Sequence, residues 1–347
     1  MCIRDRIKGI TPIFTLMKKM IKSLALRIPK VRQIKDNIDI MRGQIKDLEI
    51  LNAELMKKKE VSLRLLEGTP YTTIAIPLDY PPSRDYKPRW GGSKPVEPII
   101  HSWFKKHIVQ HLDFCNQMKV FAEELKNVPL VFEPKNLPAF GWIGIPYSPF
   151  DTLTLYSMIR TYKPKVFLEI GSGTTTCIAY KAIQDNSTNT KIISIDPEPR
   201  AEIDSICDQV IRNGLETCDL KIFDQLEAGD ILFFDGSHRS FVNSDVTVFF
   251  IDVLPRIKPG VIIHIHDITI PWDYPDMFLP WYWNEQYLLH VYLMGNMKRI
   301  NPLFPTAFVC RDRAFEEFFS VPMLDIGTYN DHWKGGGAMW FTHTSAI

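Results

Sequence analysis

The sequence predicts an α/β protein, in which a doubly wound parallel sheet follows a helical N-terminal extension. Three observations support this fold class. From about residue 151, short apolar runs alternate with amphipathic segments, as in strands joined by crossover helices. The residues that follow these runs are glycine-rich or acidic. Residues 1–66 instead show helical patterning, and their first half carries an excess of positive charge.

Composition limits the class of protein. A chain of 347 residues fits one large domain with an appendage, or two domains. With 45% hydrophobic and 23% charged residues, global disorder is excluded. The six cysteines include no C-x-x-C pair, which argues against a disulfide framework or a zinc–cysteine site and favours a reducing, cytoplasmic location. No apolar run approaches the roughly 18 residues that a membrane span needs.

The predicted domains are an extension over 1–66, a cap or linker over 67–139, and a core over 140–347. Residues 1–35 carry a net charge of +9, so the rest of the chain, at a total of +1, sums to −8. Within 13–28, apolar residues recur at steps of three and four beside lysines. This pattern predicts a basic amphipathic helix, which would lie on an anionic membrane surface at the inner face of the membrane, or pack on its own chain or a partner.

Residues 31–58 show a heptad pattern. Apolar residues and one asparagine, Asn52, are spaced alternately by three and four residues. The pattern predicts either a homodimeric coiled coil, in which Asn52 sets the register, or a helix that packs on the same chain.

The segment 67–139 is rich in proline and aromatic residues and reads as irregular surface chain. Within it, apolar spacing predicts one helix over 97–126. We expect either a cap or lid in front of the core, or a plain structural extension.

The core then alternates between strands and helices. Asp151 is the expected N-cap of the first helix. Helices are also predicted from the glycine loop through Ile183, near 199–213 and over 242–256. Strands are predicted at 166–170, 192–196, 220–223, 230–235 and 261–267, from their apolar runs.

Candidate functional residues follow these strands. Gly171 and Gly173 allow a tight turn into a helix N-terminus, which favours negative charge or acceptor atoms. Asp196 ends the next strand, where a carboxylate can accept hydrogen bonds from both ribose hydroxyls. The pattern fits an adenosine-containing cofactor. Thr176 replaces the third glycine of G-x-G-x-x-G, which weakens a dinucleotide interpretation.

The segment Glu169-Ile-Gly171-Ser-Gly173 resembles the E-x-G-x-G motif of class I S-adenosylmethionine-dependent methyltransferases. The segments 230–238, 254–260, 264–268, 272–275 and 281–287 resemble, in order, motifs of a bacterial subgroup. That subgroup is similar to antibiotic- and sugar-modifying O-methyltransferases and more distantly to the catechol type. The resemblance covers about 140–343.

The resemblance implies a seven-stranded sheet ending in an antiparallel hairpin, from residues around 298–303 and 339–343. It implies S-adenosylmethionine as cofactor, bound by residues Glu169, Gly171, Ser172, Gly173, Thr174, Thr175, Asp196 and Asp235. In catechol-type relatives Mg²⁺ lies between the acids that match Asp235 and Asp267. Relatives often carry a further Asn or Asp at the next position, where this chain has Ile268.

Methyl transfer to a hydroxyl needs a base or a metal, and histidine is the usual base. His238 is the first candidate and His266 the second. Strand alternation places His264 and His266 on one face, where either can instead be a buried core residue. An acceptor pocket for a small molecule or sugar is expected from the aromatic residues Trp272, Tyr274, Trp281, Tyr282, Trp283 and Tyr287, unless they only pack a helix start.

Two other functions remain open from the sequence. One is a nicotinamide-dependent oxidoreductase on a similar sheet. The other is an inactive coiled-coil scaffold or membrane-surface adaptor, against which the intact Gly171, Gly173 and Asp196 speak. A nucleic-acid substrate is disfavoured, because the core is net acidic and the basic residues lie in the N-terminal arm.

Overall fold

The computed structural model describes residues 29, 33, 37–46, 48, 65–66, 73–74, 87–133, 137–320 and 335–346. Its contacts divide the chain into two units, Met1–Tyr86 and Lys87–Ile347. In the first unit, residues 37–46 and 48 are helical, and Leu65–Leu66 pairs antiparallel with Thr73–Ile74. The basic helix predicted over 13–28 lies outside the described residues. No helix in the described part of the chain is long and apolar enough to cross a membrane.

The second unit contains a seven-stranded sheet with the order β3–β2–β1–β4–β5–β7–β6. Its strands are Val166–Ile170 (β1), Lys191–Ile195 (β2), Gln209–Ile211 (β3), Ile231–Phe234 (β4), Ile262–Ile265 (β5), Ile300–Pro305 (β6) and Met339–His343 (β7). The first five are parallel, while β7 runs antiparallel to both β5 and β6. The predicted doubly wound, Rossmann-like sheet and its terminal hairpin are confirmed.

Six helices of the described part of this unit lie before the first strand or within the chain that leads to β6. They are Pro98–Lys105 (α1), Ile108–Glu124 (α2), Pro149–Tyr162 (α3), Thr174–Asn186 (α4), Asp245–Val248 (α5) and Glu285–Asn296 (α6). Helix α5 continues as one π turn and one 3₁₀ turn to Arg256, close to the predicted 242–256 helix. Two short helices, Thr306–Arg311 (α7) and Glu316–Phe319 (α8), follow β6.

The single helix predicted over 97–126 is in fact two, α1 and α2. The chain breaks at Lys106 and His107, where the His107 N–H donates to the Phe104 carbonyl and its ring contacts the Trp103 carbonyl. Apolar spacing alone continues across this break, so the pattern did not reveal it. Both helices contribute to the same hydrophobic core as the sheet, through residues such as Phe104 and Met118. The composition-based domain boundaries stay predictions.

Asp151 is not the N-cap of its helix. Ser148 caps α3 by accepting from the Asp151 N–H at 3.0 Å, and Pro149 occupies the first helical position, which its fixed φ suits. Asp151 lies in the first turn and is fully buried. The Ser148 hydroxyl also donates to Asp151 Oδ2 at 2.8 Å, so a cap and a buried acid are joined.

The helix predicted near 199–213 and the strand predicted at 220–223 are both wrong. The Asp208 N–H donates to the Ile192 carbonyl, and the Asp208 carboxylate accepts from the Ile192 N–H. These two bonds place the residues after Asp208 beside β2, where they form β3. Residues Leu220–Gln225 form a 3₁₀ helix, because the Asp219 side chain caps it by accepting from the Lys221 N–H. The edge of the sheet where the 220–223 strand was expected is occupied by β3 instead.

Candidate active site

The loop after β1 turns against the end of β4. Gly171 has a φ of +78°, and a Cβ atom built there would lie 1.8 Å from the Asp235 carbonyl oxygen. The Gly171 N–H donates to Ile195 O and the Asp235 N–H donates to Ile170 O, so the ends of β1, β2 and β4 are tied together. Only glycine fits this position. Three residues later the loop leads into α4, which begins at Thr174.

Glu169 lies beneath this loop. It is fully buried, and its two carboxylate oxygens accept from the hydroxyls of Thr175 and Thr176. Thr176 in turn accepts from the Gly173 N–H at 3.1 Å. Burial raises the pKa of Glu169 to about 8, although both hydroxyl hydrogen bonds oppose the rise. The threonine that replaces the third glycine of the dinucleotide motif therefore joins the loop to Glu169.

Asp196 follows β2 and is partly exposed. Its Oδ2 accepts from the Ser172 N–H at 2.6 Å, and its Oδ1 accepts from the Glu198 N–H at 2.7 Å. A cavity of about 560 Å³ lies nearby; Arg200 and Arg212 are among its lining residues, and Asp196 is not. The Arg212 guanidinium donates to the Asp196 carbonyl at 3.0 Å, which places the cavity next to the predicted ribose-binding acid.

Two acids and two histidines converge beyond β4 and β5. His238 Nε2 lies 3.4 Å from Asp235 Oδ1 and 3.3 Å from Asp267 Oδ2. His266 Nδ1 lies 3.5 Å and 3.6 Å from the same two oxygens. Both predicted bases and both predicted metal ligands are therefore in one cluster. Asp267 joins it because β5 ends at Ile265 and Asp267 takes a φ of +54°, so strand alternation no longer applies.

Glu285 completes this cluster, and sequence reasoning did not give it a role. Its Oε2 lies 2.8 Å from His238 Nδ1, and its carboxyl group is buried. Burial raises the pKa of Glu285 to about 7, while the bond to His238 opposes that rise. The sequence signal was weak, because Glu285 is 47 residues from His238 and stands at a helix start among aromatic residues.

The acids and the histidines of the cluster shift one another's pKa values towards the charged forms. Burial alone would lower the pKa of His238, but the hydrogen bond to Glu285 and the charges of the acids outweigh it and raise that pKa. For His266 burial likewise acts to lower the pKa, and the charges of Asp267 and Asp235 raise it to about 10. The pKa of Asp235 is lowered despite its burial, chiefly by the charge of His266.

The family comparison covers this region of the chain. Residues 168–268 match the family model described as a methyltransferase domain. These residues run from β1 past the end of β5 and contain the glycine loop, Asp196 and the cluster around Asp235. Over these residues the chain is similar to methyltransferases, as the E-x-G-x-G segment leads us to expect. This favours the methyltransferase reading of the sequence over the oxidoreductase alternative.

One solved structure similar to this chain is the SAH-bound methyltransferase PaMTH1 of Podospora anserina. The two chains share 15% identity, and the match covers 73% of this chain and 99% of that chain with a TM-score of 0.34. No curated protein sequence is significantly similar to the chain.

The aromatic residues predicted to line an acceptor pocket differ in their exposure. Near the methyltransferase cluster, the Trp283 ring lies 4.2 Å from the His238 ring and 4.8 Å from Trp281. Trp281 and Tyr282 are exposed by 43% and 51%, so they present open faces at its edge. Trp272 and Tyr274 differ: Tyr274 is buried, and Trp272 lies under Gly91.

A buried polar layer lies behind the histidines. The Tyr147 hydroxyl is 3.2 Å from His264 Nε2, and its ring centroid is 4.5 Å from that of His266. His264 is fully buried, as expected of a core histidine, and burial holds its pKa well below the ordinary value. Asp151 accepts from the Gly337 N–H at 2.9 Å and, by its charge, helps raise the pKa of His266.

Three of these side chains lie close enough together to hold a cation. One atom each from Asp235, His238 and Asp267 lies within 4.8 Å of the others. Two carboxylate oxygens are the hard ligands that Mg²⁺ prefers, and Mg²⁺ commonly keeps several waters as well. The donor set therefore fits the predicted ion. Ile268 is buried and supplies no third oxygen from its side chain.

Proposed function

We propose that the protein transfers the methyl group of S-adenosylmethionine to a hydroxyl of a small molecule or sugar. One observation carries this proposal: a buried histidine, His238, is held by Glu285 and directs its other ring nitrogen to two acids beside the glycine loop. Proton removal from a hydroxyl needs a base that is held in a fixed orientation, and the imidazole of His238 is held in this way.

Donor binding is assigned to the ends of β1 and β2. The partly exposed Asp196 would accept from the ribose hydroxyls, and the adjacent cavity of about 560 Å³ lies within the usual size range of ligand sites. The loop from Gly171 to Thr174 would bring the polar part of the donor close to the N-terminus of α4, which favours acceptor atoms. The buried Glu169 would support this loop through Thr175 and Thr176.

Transfer itself is an in-line displacement. The acceptor oxygen forms a bond to the methyl carbon, the carbon–sulfur bond breaks, and its electron pair stays on sulfur to give S-adenosylhomocysteine. His238 Nε2 takes the hydroxyl proton. The carboxylate of Glu285 stabilises the resulting imidazolium through the Nδ1 hydrogen bond. The proton therefore stays on Nε2 while the methyl group moves.

Asp235 and Asp267 are the residues that would hold Mg²⁺. When bound, the ion would polarise the acceptor hydroxyl and lower its pKa. The exposed faces of Trp281 and Tyr282 would contact the acceptor, since aromatic faces suit both sugar rings and planar rings. Trp283 would instead hold the His238 ring in position by packing on it.

The proposal is tested by transfer of labelled methyl groups to paired acceptors. Phenols, catechols and sugars are compared with amines of the same shape, and His238→Gln is compared with His290→Gln, which lies outside the cluster. We expect transfer to hydroxyls, reduced about 100-fold or more in His238→Gln with donor affinity retained. Equal transfer by His238→Gln, or transfer to amines alone, would contradict the proposal.

A further inference from the structure

The strongest unexplained feature lies outside the methyltransferase domain, in the heptad segment. We propose that residues 31–58 join two copies of this chain as a parallel, in-register, two-stranded coiled coil. The sequence pattern left open whether the apolar stripe packs on its own chain. The exposure of the described part of the segment supports the first alternative, independently of the proposed function.

The stripe positions that the structure describes are exposed. Residues 37–46 and 48 are helical. Within this helix Ile38, Met41, Ile45 and Leu48 are exposed by 39%, 52%, 56% and 57%. Large apolar side chains aligned on one helix face and left in water are the signature of a surface that is buried against a partner.

The residue types along the stripe select two strands. The first heptad position, a, is occupied by Val31, Ile38, Ile45 and Asn52, and the position three residues later, d, by Ile34, Met41, Leu48 and Leu55. β-branched residues at a with mainly unbranched or γ-branched residues at d favour dimers over trimers and tetramers. Over 28 residues the seam spans about 42 Å of helix.

Asn52 selects both orientation and register. In a parallel, in-register dimer its amide meets the same amide of the second copy, so the two can form a hydrogen bond. In an antiparallel pair, an a residue packs against d residues, which are all apolar here. A shifted register would also face the Asn52 amide with an apolar side chain. Either arrangement would bury an unpaired amide at a cost of about 1–3 kcal/mol.

The flanking positions are compatible with self-pairing. In a parallel dimer the residue before each a position faces the residue after the next d position of the other copy. Asn37 with Arg42 and Gln44 with Glu49 contain no like charges, whereas Lys30 and Lys35 at the start of the segment form one like-charge pair. Gly43 falls at an outward position, where an added Cβ would meet nothing within 4 Å. It therefore weakens the helix without disturbing the seam.

The first test is the mass of the full chain by light scattering. Ile45→Lys places a charge on the seam, and Ile40→Lys makes the same change at an equally exposed isoleucine off the seam, where Ile40 is 59% exposed. We expect about twice 40.2 kDa for the wild type and for Ile40→Lys, and the monomer mass for Ile45→Lys. Thermal melting of each variant checks that the methyltransferase domain is folded. A monomeric wild type, or equal behaviour of the two variants, would overturn the proposal.

Orientation is tested by disulfide formation at matched positions. Leu48→Cys lies on the seam and Gly43→Cys on the outer face of the same helix. Under mild oxidation we expect a covalent dimer from Leu48→Cys, reversed by thiol, and none above the wild-type background from Gly43→Cys. Equal cross-linking at both positions, or none at Leu48→Cys in a chain that is dimeric by light scattering, would overturn the parallel, in-register arrangement.

Discussion

The His238 imidazole donates from Nδ1 to the buried carboxylate of Glu285 at 2.8 Å, while its Nε2 faces Asp235 and Asp267. This bond fixes Nε2 as the ring nitrogen that faces the two acids. Because Glu285 contacts His238, it acts on the reaction through that histidine and is a positioning residue.

Glu285→Gln should lower kcat by about 10²–10⁴-fold while the KM for the methyl donor changes little. The amide keeps the size of the side chain but removes the charge that fixes the tautomer of His238 and stabilises its protonated form. Steady-state kinetics measure the split between kcat and KM. Glu316→Gln, an exposed change of the same kind, is the control. A kcat within twofold of the wild type in Glu285→Gln would remove Glu285 from this role.

Gly171→Ala should destabilise the domain and abolish donor binding, because its Cβ would meet the Asp235 carbonyl oxygen. Gly229→Ala is the matched control: its φ is +91°, yet an added Cβ meets nothing within 4 Å. We expect a cost of about 1–2 kcal/mol at Gly229, from backbone strain alone. At Gly171 a steric cost of up to about 3 kcal/mol is added. Denaturant unfolding measures the stability of each variant, and donor titration measures its binding. Equal losses of stability in the two variants would contradict the close approach of Gly171 to the Asp235 carbonyl.

The core strands were predictable because β1, β2, β4 and β5 are buried apolar runs between turn signals. Strand β3 was not, since Gln209–Ile211 has three half-buried residues and is recruited by the Asp208–Ile192 hydrogen bonds. The glycine loop and the ends of β4 and β5 were likewise readable from local sequence. The partnership of Glu285 with His238 is a tertiary contact, and no local pattern encodes it.

Stability should fall as the pH drops from 6.5 towards 4, in part because of His111. Burial lowers the pKa of His111 to about 4, and its Nε2 lies 2.8 Å from the Pro302 carbonyl. The histidine of the unfolded chain binds its proton near pH 6.5, so protonation favours unfolding between pH 6.5 and 4. Above pH 6.5 this histidine no longer reduces the free energy of unfolding.

The variant His111→Gln retains a hydrogen-bond donor but does not titrate. We expect the unfolding free energy of this variant to depend less on pH between 6.5 and 4, by on the order of 3 kcal/mol in total. His343, whose pKa burial also lowers to about 4, acts in the same window and direction. Denaturant unfolding at several pH values checks this, and an unchanged slope in His111→Gln would contradict the assignment.

Asp267→Asn should reduce methyl transfer at least about tenfold without weakening donor binding, because it removes one of the two carboxylates that would hold Mg²⁺. A chelator should reduce the activity of the wild type and have little effect on the variant. Asp252→Asn, an exposed change on the helix after β4, is the control. Wild-type activity that a chelator leaves unaltered would exclude the ion from the reaction.

The central claim is that the loop from Gly171 and the acid Asp196 bind the methyl donor, and calorimetric titration with S-adenosylmethionine tests it most directly. We predict micromolar binding to the wild type and at least a tenfold loss, about 1.4 kcal/mol, in Asp196→Ala. Asp252→Ala should bind as the wild type does. A folded wild-type protein that releases no heat and shows no thermal stabilisation with the donor would contradict the account.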